Sequence, residues 1–444
     1  MTEIAQTIRE GKMTPFQVTA VAICLLINMV DGFDVLAISF AAPEIAREWS
    51  LPPTELGILF SAGLAGMVLG SLVFGPLADR VGRRPMILAS LVVISTGMLA
   101  SALALNLSQL ALLRMVTGLG IGGMLASLNT MVAEYSSDRR RKLAISFLQA
   151  GYPVGGIIAG VASVYLISKF GWRSVFVFGG ILSASMIPLV LMRLPESLDY
   201  LLSRRTPGTL ERVNELMRHL GHAELKQLPA PRNHDTKPGS KVTELFSREM
   251  GPRTVGMFAC FFAVMCSWYF VVNWTPKILV DAGLSLDSGI SGGLLLSLGG
   301  VLGGLTLGFL AGVVNVHRLV AIFAVLSVVS MTVFGLLATN LALMLGVTFL
   351  IGFLLAGSMI GLYTIVPDVY PPWLRSTGTG WAIGIGRLGA VAGPYLAGVL
   401  IAAGWDRSMY YLALSLPLIL PIIIVMRLRT STAKQASSTE RESL

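Results

Sequence analysis

Two carboxylates lie inside a strongly apolar segment near the start of the chain, at Asp31 and Asp34. A spacing of three residues places both on one face of a helix. Because a carboxylate is costly inside a bilayer, it faces a cavity or a charged partner there. Low dielectric and a like-charged neighbour both favour the protonated form of a carboxyl group. We therefore predict proton coupling by at least one of the two aspartates; the alternative is a fixed salt-bridge partner that holds helices together.

Two arginines lie deep in other apolar segments, Arg114 in the first half of the chain and Arg387 in the second. A guanidinium cannot lose its proton, so it must meet an anion. For Arg114 the candidates are an aspartate of the first apolar segment or a substrate carboxylate. Arg387 is surrounded by glycines, which allow close approach, and its planar fork matches a carboxylate through two hydrogen bonds. We predict that Arg387 contacts a substrate anion; the alternative is a structural partner.

The elements that must position these charges are membrane-spanning helices. Hydrophobic residues make up 54% of the 444-residue chain and charged residues only 13%, whereas a soluble domain is about one quarter charged. Apolar runs of about 20 residues, the length that crosses a bilayer, recur along the sequence. The predicted fold class is an all-α polytopic membrane protein with twelve spans, at 17–42, 54–78, 86–105, 108–135, 143–168, 172–194, 254–280, 288–313, 319–338, 341–366, 376–402 and 408–427.

The chain divides into two similar halves. A shift of 233 positions aligns several glycine motifs, including GPLA at 75–78 with GFLA at 308–311, which indicates an internal parallel repeat. Such a repeat predicts a pseudo-twofold axis along the membrane normal, a substrate site between the halves and alternating access by rocking. The predicted divisions are an N-terminal six-helix half at 1–194, a cytoplasmic linker at 195–252, a C-terminal six-helix half at 253–427 and a cytoplasmic tail at 428–444.

Basic residues predict the orientation of the chain. Of 33 Lys and Arg, 26 fall in segments that this arrangement places in the cytoplasm and five in outside connections. The bias predicts that both termini are cytoplasmic, and it accounts for the net charge of +9 without a nucleic-acid partner. The first span contains two aspartates and lacks a convincing small-residue cleavage site, so we interpret it as a retained span rather than a signal peptide.

Several motifs resemble those of the major facilitator superfamily. The segment GPLADRVGRRP at 75–85 resembles its signature loop between spans two and three. The segments RMVTGLG at 114–120 and PES at 195–197 resemble its motifs in span four and at the end of span six. The segment DGFD at 31–34 is similar to the hallmark of the aromatic acid:proton symporter family, bacterial importers of benzoate-type compounds. The resemblance implies the major facilitator fold, with twelve transmembrane helices in two pseudo-symmetric six-helix halves.

The resemblance also implies a gating role for charges at the cytoplasmic edge, where a charge-relay latch would favour one access state. Glu134, Arg375 and the segment GIGR at 384–387 occur where the symporter family has them. One departure is Gly312, which replaces the usual Asp in the second copy of the loop motif. Some of the basic residues serve orientation alone in the alternative interpretation. The predicted gating residues are Asp79, Arg80, Arg83, Arg84, Glu134, Arg139 and Arg375.

Aromatic and amide side chains in spans five, seven and eleven are further candidates for substrate contact, because these spans resemble cavity-lining spans of the superfamily. Ring stacking would hold an aromatic substrate. Trp and Tyr also gather at membrane interfaces, which is the alternative for each of them and our expectation for Trp274. The predicted substrate-binding residues, besides Arg114 and Arg387, are Tyr152, Trp268, Tyr269, Asn273 and Trp381.

The function that these features predict is proton-coupled symport of a small organic anion into a bacterial cell across the cytoplasmic (inner) membrane. The resemblance implies an aromatic carboxylate such as a hydroxybenzoate, and a monomer. Alternatives on the same fold are an aliphatic dicarboxylate such as muconate, or a sugar. A drug-exporting antiporter is less favoured, and a non-transporting membrane sensor is a rival from another class.

The sequence predicts neither an enzyme nor a cofactor. The four histidines fall in predicted connections, and the cysteines have no metal-ligand spacing. Two GxGxxG segments, at 118–123 and 384–389, lie inside apolar spans rather than after a strand, so helix packing explains them better than a dinucleotide site. No phosphate-binding GxxxxGK[ST] loop is present, and ATP-driven transport is therefore not supported.

Overall fold

The computed structural model describes residues 13–204, 208–220, 224–225, 227–228, 242–248, 250–337, 340–371 and 373–428. Most of the predicted cytoplasmic tail, the first twelve residues and parts of the predicted linker lie outside them. The helices are α1 Pro15–Trp49, α2 Pro53–Val81, α3 Arg83–Ser101, α4 Leu107–Tyr135, α5 Asp138–Phe170, α6 Arg173–Arg193, α7 Leu198–Arg204, α8 Thr209–His219, α9 Gly251–Asp281, α10 Leu286–Leu310, α11 Val316–Leu336, α12 Leu341–Val369, α13 Arg375–Ala402 and α14 Arg407–Ser415. Short 3₁₀ segments occupy Val242–Phe246 and Leu416–Leu418.

Twelve helices among the described residues are long and apolar enough to cross a membrane. They are α1–α6 and α9–α14, the last continuing after its 3₁₀ turn to Leu428. The predicted all-α class and the twelve spans are confirmed. The first span is longer than its pattern suggested, because α1 continues through Pro43 to Trp49. A proline inside a helix removes one hydrogen bond, but here the flanking residues Ala42 and Ile45 are fully buried, and their packing supports the helix beyond it.

The first compact unit comprises Met1–Ala37 and Ala65–Thr236. Glycines let its helices approach backbone to backbone. A Cβ added at Gly66 or Gly70 of α2 would lie 2.0 Å from a carbonyl oxygen of α4, that of Met115 or Leu119 respectively. A Cβ at Gly32 of α1 would likewise lie 2.0 Å from the carbonyl oxygen of Tyr152 in α5. No side chain fits at these distances, so the glycines permit this close packing.

The second compact unit comprises Ile38–Leu64 and Lys237–Leu444. It repeats the packing of the first. Gly299 and Gly303 of α10 abut the carbonyl oxygens of Phe349 and Phe353 in α12. These two glycines lie 233 positions after Gly66 and Gly70, which is the offset of the sequence repeat. The same pair of small residues therefore brings the second helix of each half against the fourth.

The second unit also contains the adjacent ends of α1 and α2. The Ser39 hydroxyl donates to Oδ1 of Asn273 in α9 at 3.1 Å, and the Ser61 hydroxyl donates to the carbonyl of Val391 in α13 at 2.7 Å. This grouping follows packing rather than chain order, so segment 38–64 belongs to a different unit from the rest of α1 and α2. The predicted boundaries of the two halves stay a prediction.

A small apolar cluster forms within the predicted linker. One helix of this segment is α8, Thr209–His219. Its apolar face packs against α7 and against the first turn of α1, where the ring of Phe16 stacks on His219 with centroids 5.1 Å apart. The buried members of the cluster are Leu198, Leu201, Val213, Leu216, Met217 and Leu220.

Candidate functional site

Asp34 is the most enclosed charged residue of the candidate site in the first unit. Its exposed fraction is 0%. Its Oδ2 accepts a hydrogen bond of 2.7 Å from the hydroxyl of Ser183 in α6, while its Oδ1 is buried without a hydrogen-bond partner in the described part of the chain. Gly179, one turn before Ser183, allows this approach, because a Cβ there would lie 2.9 Å from Oδ1. Burial with one oxygen unsatisfied disfavours a permanent negative charge at this position.

Arg114 is sealed into the same unit, with an exposed fraction of 4%. Its guanidinium donates to the backbone carbonyl of Asp34 at 3.3 Å and to the hydroxyl of Thr117 at 3.0 Å. It also contacts Sδ of Met98 at 2.7 Å and lies over the ring of Phe176, 5.0 Å from the centroid. Its Nε is buried without a partner among the described residues. Of the two partners that the sequence left open, the structure brings Arg114 to the backbone of Asp34; contact with a substrate stays a prediction.

Asp31 lies one helical turn before Asp34 and is also buried. Between them, Gly32 lies against the backbone of Tyr152, whose side chain is half-buried. The two predicted proton-coupling residues and one predicted substrate-binding residue are therefore neighbours along the contact of α1 with α5. Their roles stay predictions.

The second unit holds Arg387 in a different environment. Arg387 is half-buried on α13, and Tyr363 of α12 lies within electrostatic range of both Arg387 and Tyr269. The ring of Tyr363 also meets that of Phe261 edge to face, with centroids 5.4 Å apart. Tyr363 therefore lies near each of these two predicted substrate-binding residues. Sequence analysis missed Tyr363 because a single tyrosine in an apolar span carries no signal of its own.

The other predicted binding residues of the second unit differ in accessibility. Trp268 is buried, and its ring lies 3.2 Å from where a Cβ on Gly300 would be. The amide of Asn273 is engaged within the unit, since its Nδ2 donates to the carbonyl of Tyr269 at 2.8 Å. Trp381 is 45% exposed. Contact of these side chains with a substrate stays a prediction.

Trp274 corrects one expectation. A tryptophan at the membrane interface keeps part of its ring accessible, but Trp274 is only 1% exposed. Its Nε1 donates to the carbonyl of Pro394 at 3.0 Å, and its ring meets Phe60 edge to face with centroids 5.4 Å apart. Trp274 is therefore a packing residue of the second unit, where its indole N–H is satisfied by a helix carbonyl.

Glu196 organises the edge of the first unit that the sequence predicts to be cytoplasmic. Its Oε1 accepts hydrogen bonds from the backbone N–H groups of Arg83 at 2.9 Å and Arg84 at 3.1 Å. These are the free donors at the start of α3, where an acidic group is favoured by the helix dipole. Gly82 has φ +114°, and a Cβ there would lie 2.5 Å from Oε2 of Glu196. Glycine is required at this position because of both the backbone conformation and the carboxylate beside it.

The predicted gating charges take part in this edge network to different extents. Asp79 forms an ion pair of 2.7 Å with Arg83, and the hydroxyl of Ser197 donates to both carboxylate oxygens of Glu134 at 2.9 and 2.7 Å. Arg83 also lies within electrostatic range of Glu134. The PES segment therefore links the α2–α3 loop to the end of α4. Its residues Glu196 and Ser197 were not among the predicted gating residues.

The remaining predicted gating residues make fewer interactions with this network. The hydroxyl of Tyr200 donates to the carbonyl of Arg80 at 3.3 Å, and Arg84 donates to the carbonyl of Leu191 at 2.5 Å. Arg139 is exposed. In the second unit, Arg375 donates to the carbonyl of Pro367 at 2.7 Å. Gating by any of these residues stays a prediction. Within the described ranges no group of three His, Cys, Asp or Glu side chains could hold a metal ion.

Comparison with known families decides what this architecture is. Residues 24–318 and 293–443 match the family model described as Major Facilitator Superfamily. The chain belongs to the Major Facilitator Superfamily. It is a membrane transport protein and not an enzyme. The superfamily that the motifs predicted is confirmed, as is the resemblance to its aromatic acid transporters.

Relatives of this superfamily member align along nearly their whole length. The 4-hydroxybenzoate transporter PcaK of Pseudomonas aeruginosa is 30% identical over 96% of this chain and 95% of its own. The gallate transporter of Pseudomonas putida is 30% identical over 98% of each chain. A crystal structure of a D-xylose-proton symporter matches with a TM-score of 0.71 at 15% identity, covering 93% of this chain and 97% of that one. The last likeness shows the fold alone.

Proposed function

We propose that the protein is a proton symporter that imports an aromatic carboxylate by alternating access. The observation that carries the proton coupling is the enclosed Asp34 carboxyl, with Ser183 on one oxygen and Arg114 at its backbone. The substrate class rests on the relatives, whose names specify 4-hydroxybenzoate and gallate. Both compounds are benzene carboxylates with ring hydroxyls, and both need a cationic partner for the carboxylate and an aromatic environment for the ring.

The two units divide these tasks in the proposed cycle. Arg387 supplies the guanidinium fork for the substrate carboxylate, and the nearby Tyr363, together with Tyr269, supplies aromatic rings for the substrate ring. Asp34 takes up the proton on the acidic side and releases it in the cytoplasm. Protonation removes its buried negative charge, which lowers the cost of the conformational change that carries proton and substrate inward together.

The energetics fit a symporter of this kind. Each transported proton contributes about 1.4 kcal/mol per pH unit and about 2.3 kcal/mol per 100 mV of membrane potential. A monoanion that moves with one proton is electroneutral, so only the pH and substrate gradients drive it. A second proton would add the voltage contribution.

We infer that the protein resides as a monomer in the bacterial cytoplasmic membrane with both termini in the cytoplasm. The distribution of Lys and Arg supports the orientation. The bacterial sources of the matched relatives support the membrane.

Uptake into proteoliposomes tests the proposal. With an inward gradient of about two pH units, one-proton symport accumulates substrate to about 100-fold. Labelled 4-hydroxybenzoate, gallate, muconate and xylose would be offered separately, and uptake by protein-free vesicles would be subtracted because neutral weak acids cross bilayers unaided. We expect accumulation of the aromatic acids alone, and its loss in Asp34→Asn.

The matched control is Asp287→Asn, which neutralises an exposed aspartate in the first turn of α10 and should accumulate substrate like the wild type. Accumulation retained in Asp34→Asn would move the coupling to Asp31 or elsewhere. Uptake of muconate or xylose alone would discard the aromatic substrate. Binding of an aromatic acid without uptake, by folded and inserted protein, would indicate a sensor instead of a transporter.

A further inference from the structure

We infer that Ser183 of α6 is a positioning residue for proton coupling, which holds the Asp34 carboxyl and sets the pH range in which it exchanges its proton. The inference rests on the proposed proton symport and names a residue outside the motifs that identify the superfamily. Ser183 and Asp34 are 149 positions apart in the chain, and both are fully buried.

The hydroxyl of Ser183 does not make the local bond that several other buried serines of these spans make. A serine inside a helix commonly donates to a carbonyl of the preceding turn. Ser327 and Ser358 do so, with bonds of 2.8 and 2.9 Å to the carbonyls four residues earlier. Ser185, two residues from Ser183, donates to the carbonyl of Leu182 at 2.6 Å. Ser183 instead directs its hydroxyl across to Oδ2 of Asp34 at 2.7 Å.

The carboxylate and the backbone carbonyl of Asp34 accept hydrogen bonds from different residues. Arg114 donates to the backbone carbonyl of Asp34 and to Thr117, while Ser183 occupies one carboxylate oxygen. A hydroxyl both donates and accepts, so Ser183 can remain bonded whether Asp34 is ionised or protonated. Arg114 can only donate, so its side chain cannot accept a hydrogen bond from the O–H of a neutral carboxyl. Ser183 is thus the partner suited to both halves of the proton cycle.

Other titratable groups surround this bond. Arg114 of α4 is the charged side chain described against Asp34, Asp31 lies one turn away on α1, and Tyr152 of α5 packs at Gly32 between the two aspartates. The contacts described from α3 and α6 are uncharged, through Met98, Phe176 and Ser183. Removing the Ser183 hydroxyl changes none of these charges, so its effect on proton exchange can be measured separately.

The sign of that effect follows from hydrogen-bond strength. A bond to an ionised acceptor is about twice as strong as a neutral one. Ser183→Ala therefore destabilises ionised Asp34 more than protonated Asp34, and protonation occurs at higher pH. With the inside pH held fixed, we expect the outside pH that gives half-maximal initial uptake to rise by about one unit. A purely structural role would lower uptake at every pH and leave this midpoint unchanged.

A variant series separates the outcomes. Ser183→Thr keeps the hydroxyl and should restore the wild-type midpoint, and Ser183→Cys, a weaker donor of similar size, should give an intermediate shift. Ser185→Ala on the same helix is the matched control and should leave the midpoint in place. If the wild type accumulates substrate and the midpoint of Ser183→Ala equals that of the wild type, the inference is overturned.

Infrared difference spectroscopy keeps this test independent of transport. The carboxyl C=O band that disappears in Asp34→Asn would be titrated with pH in purified wild type and in Ser183→Ala. A higher midpoint in Ser183→Ala supports the inference, and equal midpoints overturn it. Absence of gradient-driven accumulation by the wild type would refute the symport proposal, while the infrared titration would still report whether Ser183 acts on Asp34.

Discussion

Arg114 and Arg387 are both arginines inside predicted spans, one in each half, but they differ in burial and in the residues around them. Arg114 is almost completely buried and spends its donors on the Asp34 carbonyl, Thr117 and Met98. Arg387 is half-buried, and Tyr363 lies within electrostatic range of it. An arginine whose surroundings are fixed by the protein stabilises a helix contact and influences a neighbouring carboxyl. The half-buried arginine is the one that receives the substrate carboxylate in the proposed cycle.

The comparison also separates two tasks that the sequence placed on the same residues. Both arginines were candidates for substrate binding from their type and position alone. In the structure the first unit holds the Asp34 carboxyl with Ser183 and Arg114, and the second unit holds Arg387 near Tyr363. In the proposed cycle, proton exchange and anion recognition therefore depend on different helices, and we expect that each can be disrupted without the other.

The largest effect on stability is expected from Arg114→Met, which removes the guanidinium but keeps an apolar chain of similar length. The Asp34 carbonyl and Thr117 lose their buried donor, and we expect the free energy of unfolding to fall by about 3 kcal/mol. Thermal unfolding in detergent measures this change, and the double variant with Asp34→Asn measures the coupling between the two sites. Wild-type stability together with a raised KM would place Arg114 at the substrate and remove the contrast with Arg387.

Arg387→Met is the matched change in the second unit, and its effect should fall on affinity. Losing a bidentate partner of the substrate carboxylate is expected to raise KM by about 10- to 100-fold, or roughly 1.4–2.7 kcal/mol. Stability should stay close to that of the wild type because Arg387 is only half-buried. Arg387→Lys should recover part of the affinity, since lysine keeps the charge but not the planar fork. A destabilised variant with unchanged KM would make Arg387 the structural arginine.

The smallest effect on stability is expected from Asp79→Asn at the predicted cytoplasmic edge, where the charge is exposed instead of buried. The carboxylate is 68% exposed in its pair with Arg83, so the free energy of unfolding should change by less than about 1 kcal/mol. KM should not change, whereas the maximal uptake rate should fall about threefold if the pair latches one access state. The exposed Asp138→Asn in the first turn of α5 is the control. Equal uptake rates in both variants would indicate that the Asp79–Arg83 pair does not gate transport and that the charges at this edge only orient the chain.

The sequence alone determined the class of the molecule, because the length and polarity of a bilayer-spanning helix are local properties of the chain. The twelve spans, the repeated halves and the superfamily all followed from such patterns, and the comparisons confirmed the superfamily. Asp34 and Arg114 were also identifiable as candidates, because a charge inside an apolar span stands out without any knowledge of its neighbours.

Only the tertiary structure decided which side chains and backbone groups these residues contact. Ser183 meets Asp34 across 149 positions, and Glu196 caps the start of α3 from 113 positions away. Trp274 is buried against Pro394, although its type favoured the membrane interface. These contacts depend on which faces of which helices pack together. Serine, glutamate and tryptophan serve many roles in membrane proteins. The role of each one can therefore be assigned only when the packing of its helix is known.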